Sequence, residues 1–349
     1  MAPCTHQQWL RVHRDENGFV LQYENRLGNI TNSLSRPAKQ YPSLILFIGK
    51  QAKSRALRAL FPGNSISNCR KYGIANICAD PATAQADYPI LIADSIPDYA
   101  QTNLRGKAIC HETTNHPVAW PDESSPPTHQ GLVDHLHAKL LSLFVDVLCI
   151  FAQDCGGLDG VADRLTSWTT LGSGSSLPKS TRPRLLVVTS LPGHAFDSEI
   201  LRFRLRMLAD PKFGESFSSL NLVNILGSTR YPSRALFTGL GEVLHHETSI
   251  ARVERVNSHT LFSMIHITAF FEIALGSFAT SPRRTFDFIK SSREGNPVSF
   301  NFVNHLKSFM SLSHKHKLSE NILWDFISSA IVLDSFPPDM HSKCIIHYE

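Results

Sequence analysis

The sequence predicts an α/β protein, a three-layer and mainly parallel sheet with helices on both faces, followed by a smaller all-α region. Five short apolar runs, at 43–48, 89–94, 145–151, 184–189 and 220–226, are continuous rather than alternating, as expected of strands buried on both faces. Between them apolar residues recur at helical spacing, so strand and helix alternate as in a parallel sheet. Past residue 228 runs of strand length cease and only helical patterns remain.

The run at 43–48 ends at Gly49, and residues 54–60 follow as a short helix stopped by Pro62 and Gly63. Leu132, Leu136, Leu140 and Leu143 mark a second helix, and Leu158, Val161, Ala162, Leu165 and Trp168 a third. Asp197 is read as the cap of a fourth, whose apolar face is Ile200, Leu201, Leu205 and Leu208. Turn-forming residues fill surface loops at 121–127 and 172–178. In the last third, Leu236, Phe237, Leu240, Val243 and Leu244, then residues 261–279, then Phe302, Val303, Leu306, Phe309 and Met310, and then residues 319–334 before Pro337, read as helices. The expected organisation is an N-terminal extension (1–40), an α/β domain (41–228) and a helical domain (229–349).

Composition narrows the function classes. Hydrophobic residues make up 42% and charged residues 18% of 349, which places the chain among globular proteins rather than disordered ones. Lys and Arg exceed Asp and Glu by only 34 to 30, so no nucleic-acid partner is expected. Seven cysteines without a C-x-x-C predict reduced thiols and a cytoplasmic setting. Arg11, His13, Arg14, Asp15 and Glu16 stand where a secretory leader would be apolar. Residues 261–279 approach membrane length but carry His266 and Glu272, and a charge at mid-bilayer costs about 3 kcal/mol, so a buried helix is expected and no membrane span.

The segment most suggestive of chemistry is Gly49-Lys50-Gln51-Ala52-Lys53-Ser54. A buried strand running through a tight loop into Lys-Ser at a helix start builds phosphate cradles. Backbone N–H groups face the anion, Lys adds a point charge, and Ser ligates Mg²⁺. Asp94, at the end of the second run, supplies the carboxylate expected near that ion. A fold of the P-loop NTPase type with Mg²⁺ and ATP or GTP as cofactor follows: Gly49, Lys53 and Ser54 at the phosphates, Ser54 and Asp94 at the metal. The motif is degenerate. Ala52 replaces the glycine before Lys53, and Gly49 lies four residues before Lys53 where six are required.

Other constellations fall short. Thr189-Ser190-Leu191-Pro192 lacks the Lys and Asp that read guanine. The loop Gln153-Asp154-Cys155-Gly156-Gly157 lies where open α/β sheets bind ligands, or is a βα turn needing its two glycines. His111 and His116 are five apart, where a zincin-type helix needs four. His135 and His137, His245 and His246, and His314 and His316 form no ligand spacing, and the last pair reads as a solvated helix connection. No G-x-S-x-G elbow is present, so serine hydrolysis lacks a positioned nucleophile.

The stretches Leu44–Pro62, with its Gly49-Lys50-Gln51-Ala52-Lys53-Ser54 loop, 89–94, 287–289, 296–298 and 333–341 together resemble the amino-terminal P-loop or GTPase-like region of fungal patatin-like phospholipase proteins. That resemblance covers about residues 40–345 and implies a regulatory or scaffold module, with lipase activity belonging to a later catalytic domain whose motifs this sequence lacks. The expected partners are a nucleotide, and a protein partner or lost catalytic domain. The alternatives are a pure interaction scaffold that binds no nucleotide, and a hydrolase, either an NTPase or the remnant of a lipid acyl hydrolase.

Overall fold

The computed structural model describes residues 7–16, 18–66, 74–97, 113–120, 128–225, 233–294 and 301–335. The loop at 121–127, His111, and the stretch at 296–298 fall outside these residues.

Two strands open the chain, β1 (Gln8–Asp15) and β2 (Gly18–Glu24), followed by α1 (Arg26–Ser33), whose N-terminus Asn25 caps by accepting from Gly28 N–H. Then come β3 (Ser43–Ile48), α2 (Gln51–Leu60), β4 (Ala75–Ala79), β5 (Ile90–Ser95), β6 (Thr113–Pro117) and α3 (His129–His135). The helix continues through a wide turn at Leu136–Leu140 and a tight one at Leu141–Leu143 into β7 (Val147–Phe151). A tight turn, Ala152–Cys155, leads to α4 (Gly157–Thr170), then β8 (Arg184–Thr189), α5 (Gly193–Leu208), α6 (Phe213–Ser216) and β9 (Ser219–Asn224). The remaining described elements are helices: α7 (Ser233–Asn257), α8 (Met264–Thr280), α9 (Phe288–Glu294), α10 (Phe302–Lys315) and α11 (Glu320–Ser335).

The nine strands form one mixed sheet in the order β6-β2-β1-β4-β5-β3-β7-β8-β9. All five strands expected from the apolar runs lie side by side and parallel, as β5-β3-β7-β8-β9. The other four add antiparallel pairings, β4 on β5, β1 on β4, β2 on β1 and β6 on β2, so the sheet is mixed rather than mainly parallel. Within the expected extension at 1–40, residues 8–15 and 18–24 are accordingly part of the sheet. Trp9, Leu10 and Val12 of β1 and Val20, Leu21 and Tyr23 of β2 are buried, and that burial holds the pair in the sheet.

On one face, α2 and α7 bury Ala56, Leu57, Phe237, Leu240 and Leu244 against Ile45, Phe47, Val147 and Cys149. On the opposite face α4 buries Leu158, Val161, Ala162, Leu165 and Trp168, and Leu46, Leu148 and Trp168 line one small cavity there. Helix α8 buries eight side chains, and its Phe271 packs 4.6 Å from Trp9 and 5.6 Å from Tyr23, ring centre to ring centre. Its Glu272 points outward and is exposed. Among the described residues no helix is long and apolar enough to cross a membrane.

The chain divides into two compact units, Met1–Phe286 and Asp287–Glu349. The division falls after residue 286, not 228, because α7 contributes to the same core as the parallel strands. The second unit holds α9, α10 and α11, with Phe309 stacked on Phe326 at 4.3 Å. His314, in the last turn of α10, and His316, in the connection after it, are both exposed. Helix α5 differs from expectation in its facing. Leu201, Leu205 and Leu208 are 59%, 61% and 68% exposed, while Phe203 and Met207 are buried. It also starts five residues early, with Pro192 in the cap position, so Asp197 lies inside it.

Candidate functional site

The loop between β3 and α2 meets the end of β7, because β3 pairs in parallel with β7 and Ile48 stands opposite Ile150. Gly49 leaves the strand with its N–H on the Ser95 carbonyl at 3.2 Å. A Cβ there would come within 2.7 Å of an Asp154 oxygen and 2.9 Å of Lys53 Cβ, so only glycine admits this close approach.

The anion cradle exists, and a carboxylate of the chain itself fills it. Asp154 accepts from four consecutive backbone N–H groups: Lys50 at 2.6 Å, Gln51 at 3.1 Å, Ala52 at 3.2 Å and Lys53 at 3.1 Å. These are the first donors of α2, which have no partner within the helix. The first turn of α2 carries no acidic residue of its own, so Asp154 supplies the negative charge that the helix dipole favours there. The turn bearing Asp154 is fixed by Gly156 and Gly157, at φ 84° and 81°, a left-handed conformation that favours glycine.

Lys53 turns away from the cradle. Its ammonium is fully buried and donates to Asp94 Oδ2 at 2.8 Å and to the Ser95 carbonyl at 2.8 Å. The other Asp94 oxygen accepts from Asn76 Nδ2 of β4 at 2.7 Å, so both carboxylate oxygens are engaged within the sheet. The Ser54 hydroxyl donates back to the Lys50 carbonyl at 2.7 Å. Of the four residues expected at a Mg²⁺-nucleotide, Gly49 and Lys53 thus meet around Asp154, Lys53 and Asp94 form a buried ion pair, and Ser54 bonds along its own helix. The donor set does not fit the group. The position expected for a phosphate is taken by a carboxylate, and both the Asp94 oxygens and the Lys53 ammonium are engaged elsewhere. Among the described residues no group of three or more His, Cys, Asp or Glu is placed to hold a metal ion.

A buried polar chain extends from this pair. Next to Asp94, the Ser95 hydroxyl lies 2.7 Å from the Ile74 carbonyl and 2.8 Å from His137 Nε2, while His137 Nδ1 lies 2.8 Å from the Val133 carbonyl. The ring stacks on Trp168 at 5.3 Å. Burial pushes His137 down to about 4, against a smaller upward pull from its bond to Val133. The unfolded chain, with a His near 6.5, therefore binds more protons than the fold between about pH 6.5 and 4. The stability due to a neutral His137 is complete above that window and is lost as pH falls through it, by about 3 kcal/mol. Urea unfolding at stepped pH should show this slope, and His137→Gln should make it shallower.

Sequence reasoning located Gly49 and Lys53 correctly beside a helix start and missed Asp154 as their partner. The available signal was an acidic residue directly after the strand neighbouring β3. Other candidates prove structural. Glu247, beside His245 and His246, is buried and accepts from Arg184 at 2.5 Å and Asn221 at 2.7 Å. His135 bonds the Gly131 carbonyl. Cys78 and Cys149 are buried, Cys155 is half-buried, and none of the three is in a disulfide. No protein-family model matches the chain, and neither does any curated protein.

Proposed function

We propose that this chain is a non-catalytic regulatory or scaffold module on a degenerate fold of the P-loop NTPase type, whose anion cradle its own Asp154 keeps closed. The observation that carries this reading is the convergence of four backbone N–H groups on one carboxylate at the start of α2. The strand, loop and helix order of β3 and α2, in a parallel block of five strands, supports the fold type. The engaged Lys53 and Asp94 speak against phosphate transfer. The likeness to the amino-terminal region of patatin-like proteins accords with a module that acts by contact.

Thermal unfolding with Mg²⁺-ATP and Mg²⁺-GTP tests it. A nucleotide at a hundred times its Kd would add about 2.7 kcal/mol and raise Tm by several degrees. The wild type is expected to show no shift with either, and a clear shift would overturn the reading. Asp154→Ala is the companion. It strips the charged acceptor from the four N–H groups and should cost about 1–3 kcal/mol. Added inorganic phosphate or sulfate should then restore part of the loss in the variant and none in the wild type. An Asp154→Ala protein that phosphate leaves unaltered would reduce the cradle to an ordinary helix cap.

A further inference from the structure

A small cavity of about 30 Å³ lies on the α4 face of the sheet, at the amino ends of β7, β8 and β9 and so at the opposite edge from the cradle. Val145 leads into β7, Arg182 into β8 and Ser216 into β9, and all three line it. Leu148 and Trp168 supply apolar wall. A space of this size holds about two water molecules, or one anion of a few atoms.

Two side chains of the lining carry buried donors that meet no acceptor. Arg182 Nε and Nη1 bond nothing, and neither does the Ser216 hydroxyl. Each such group costs free energy until an acceptor reaches it. Arg182 makes no ion pair among the described residues, and the exposed Glu215 acts on its charge only through space. A second cation stands close by. Lys139 is buried and donates to the carbonyl of Ser173, another residue of the lining, at 3.0 Å, with no carboxylate partner among the described residues. Burial pushes both cations below their usual pKa, Arg182 against a smaller upward pull from Glu215. Two poorly solvated positive charges thus share one region without a counter-ion in contact, and an anion there would relieve both. His137 serves only as wall, because its two ring nitrogens are engaged with Ser95 and Val133.

We infer that this cavity binds one small monovalent anion, of the size of formate or chloride, held by the Arg182 guanidinium and the Ser216 hydroxyl. Charge-assisted bonds of this kind gain strength where apolar walls keep water away. The volume excludes sulfate, phosphate and longer carboxylates. The inference does not rest on the closed cradle, since the two places share no residue.

The test uses the full chain with isotope-labelled tryptophan, whose indole N–H resonances are followed by NMR during titration with sodium formate. Sodium gluconate, too large to enter, keeps the ionic strength constant. Trp168→Phe identifies the reporter resonance. A saturable shift is expected at Trp168 and not at Trp9, Trp120 or Trp324. Chloride titrated in the same way shows whether a halide or a carboxylate is the tighter occupant, and saturation by either supports the site. Arg182→Met should weaken the apparent Kd about tenfold, the scale of one charge-assisted contact, and Ser216→Ala should weaken it less. Butyrate should leave the resonance in place. Without added anion, Arg182→Met should unfold at no lower urea concentration than the wild type, because it removes a charge that has no partner. A Trp168 resonance that neither anion shifts saturably would mean a cavity holding water only, and would overturn the inference. So would an Arg182→Met protein that binds as the wild type does, or one that is markedly destabilised, since the guanidinium would then have a partner within the fold. Asp154→Ala should leave the formate response unchanged, so this inference and the closed cradle fail separately.

Discussion

Lys53→Met is expected to destabilise the protein by about 3–5 kcal/mol in the absence of any ligand, because it leaves the Asp94 carboxylate buried with its charge uncompensated. Asp94 is 1% exposed, and its other contact, from Asn76, is neutral. A phosphate-binding lysine would behave otherwise: its loss would be silent in stability until ligand was added. Chemical denaturation of the ligand-free protein separates the two. Adding Asp94→Asn to Lys53→Met should recover much of the loss, since the amide removes the stranded charge and keeps a polar group facing Asn76. A double variant no more stable than Lys53→Met would show that the cost arises from packing around the lysine stem.

Asp146→Ala should be comparably damaging. Asp146 precedes β7 and joins three elements: its Oδ1 accepts from Arg255 of α7 at 2.5 Å, and its Oδ2 accepts from Leu44 N–H at the start of β3 at 2.8 Å. Arg255 and Asp146 are 7% and 5% exposed, so removing the carboxylate strands a buried guanidinium and one backbone donor, at about 3–5 kcal/mol. Urea midpoints measure the loss, and hydrogen exchange locates it. Protection should fall first in α7 and at the start of β3. Protection that falls uniformly would mean that Asp146 supports the whole core and does not pin α7 in particular.

The parallel half of the sheet was legible because its strands are buried on both faces, which leaves continuous apolar runs such as Leu44 to Ile48. The antiparallel half was not. In β1 the buried Trp9, Leu10 and Val12 are interleaved with Arg11, His13 and Arg14, and β6 is Thr-Thr-Asn-His-Pro, an edge strand with hardly any apolar signal. Helix α5 was seen but faced wrongly. Its leucines outnumber Phe203 and Met207, and spacing alone does not say which of two apolar stripes meets the sheet. At the site, the loop position of Lys53 was readable, whereas the direction of its ammonium depends on the register of β5 against β3, which sets Asp94 opposite Phe47. Asp154 lies 101 residues from Lys53, and its role emerges only once β7 is known to be the neighbour of β3.

The Asp154 contact also fixes how the cradle competes. A dissolved anion must displace a carboxylate tethered to the same chain, and such a tether presents its group at an effective concentration of millimolar or more. Here the turn is held by two glycines and the end of β7, so little conformational freedom is left to lose and the effective concentration lies toward the high end. Raising free phosphate a few-fold therefore leaves the occupant in place. Displacing the turn by an ångström or two lengthens all four bonds together, since one rigid carboxylate serves them all. The cradle is thus nearly insensitive to anion concentration and sharply sensitive to the position of the Ala152–Cys155 turn.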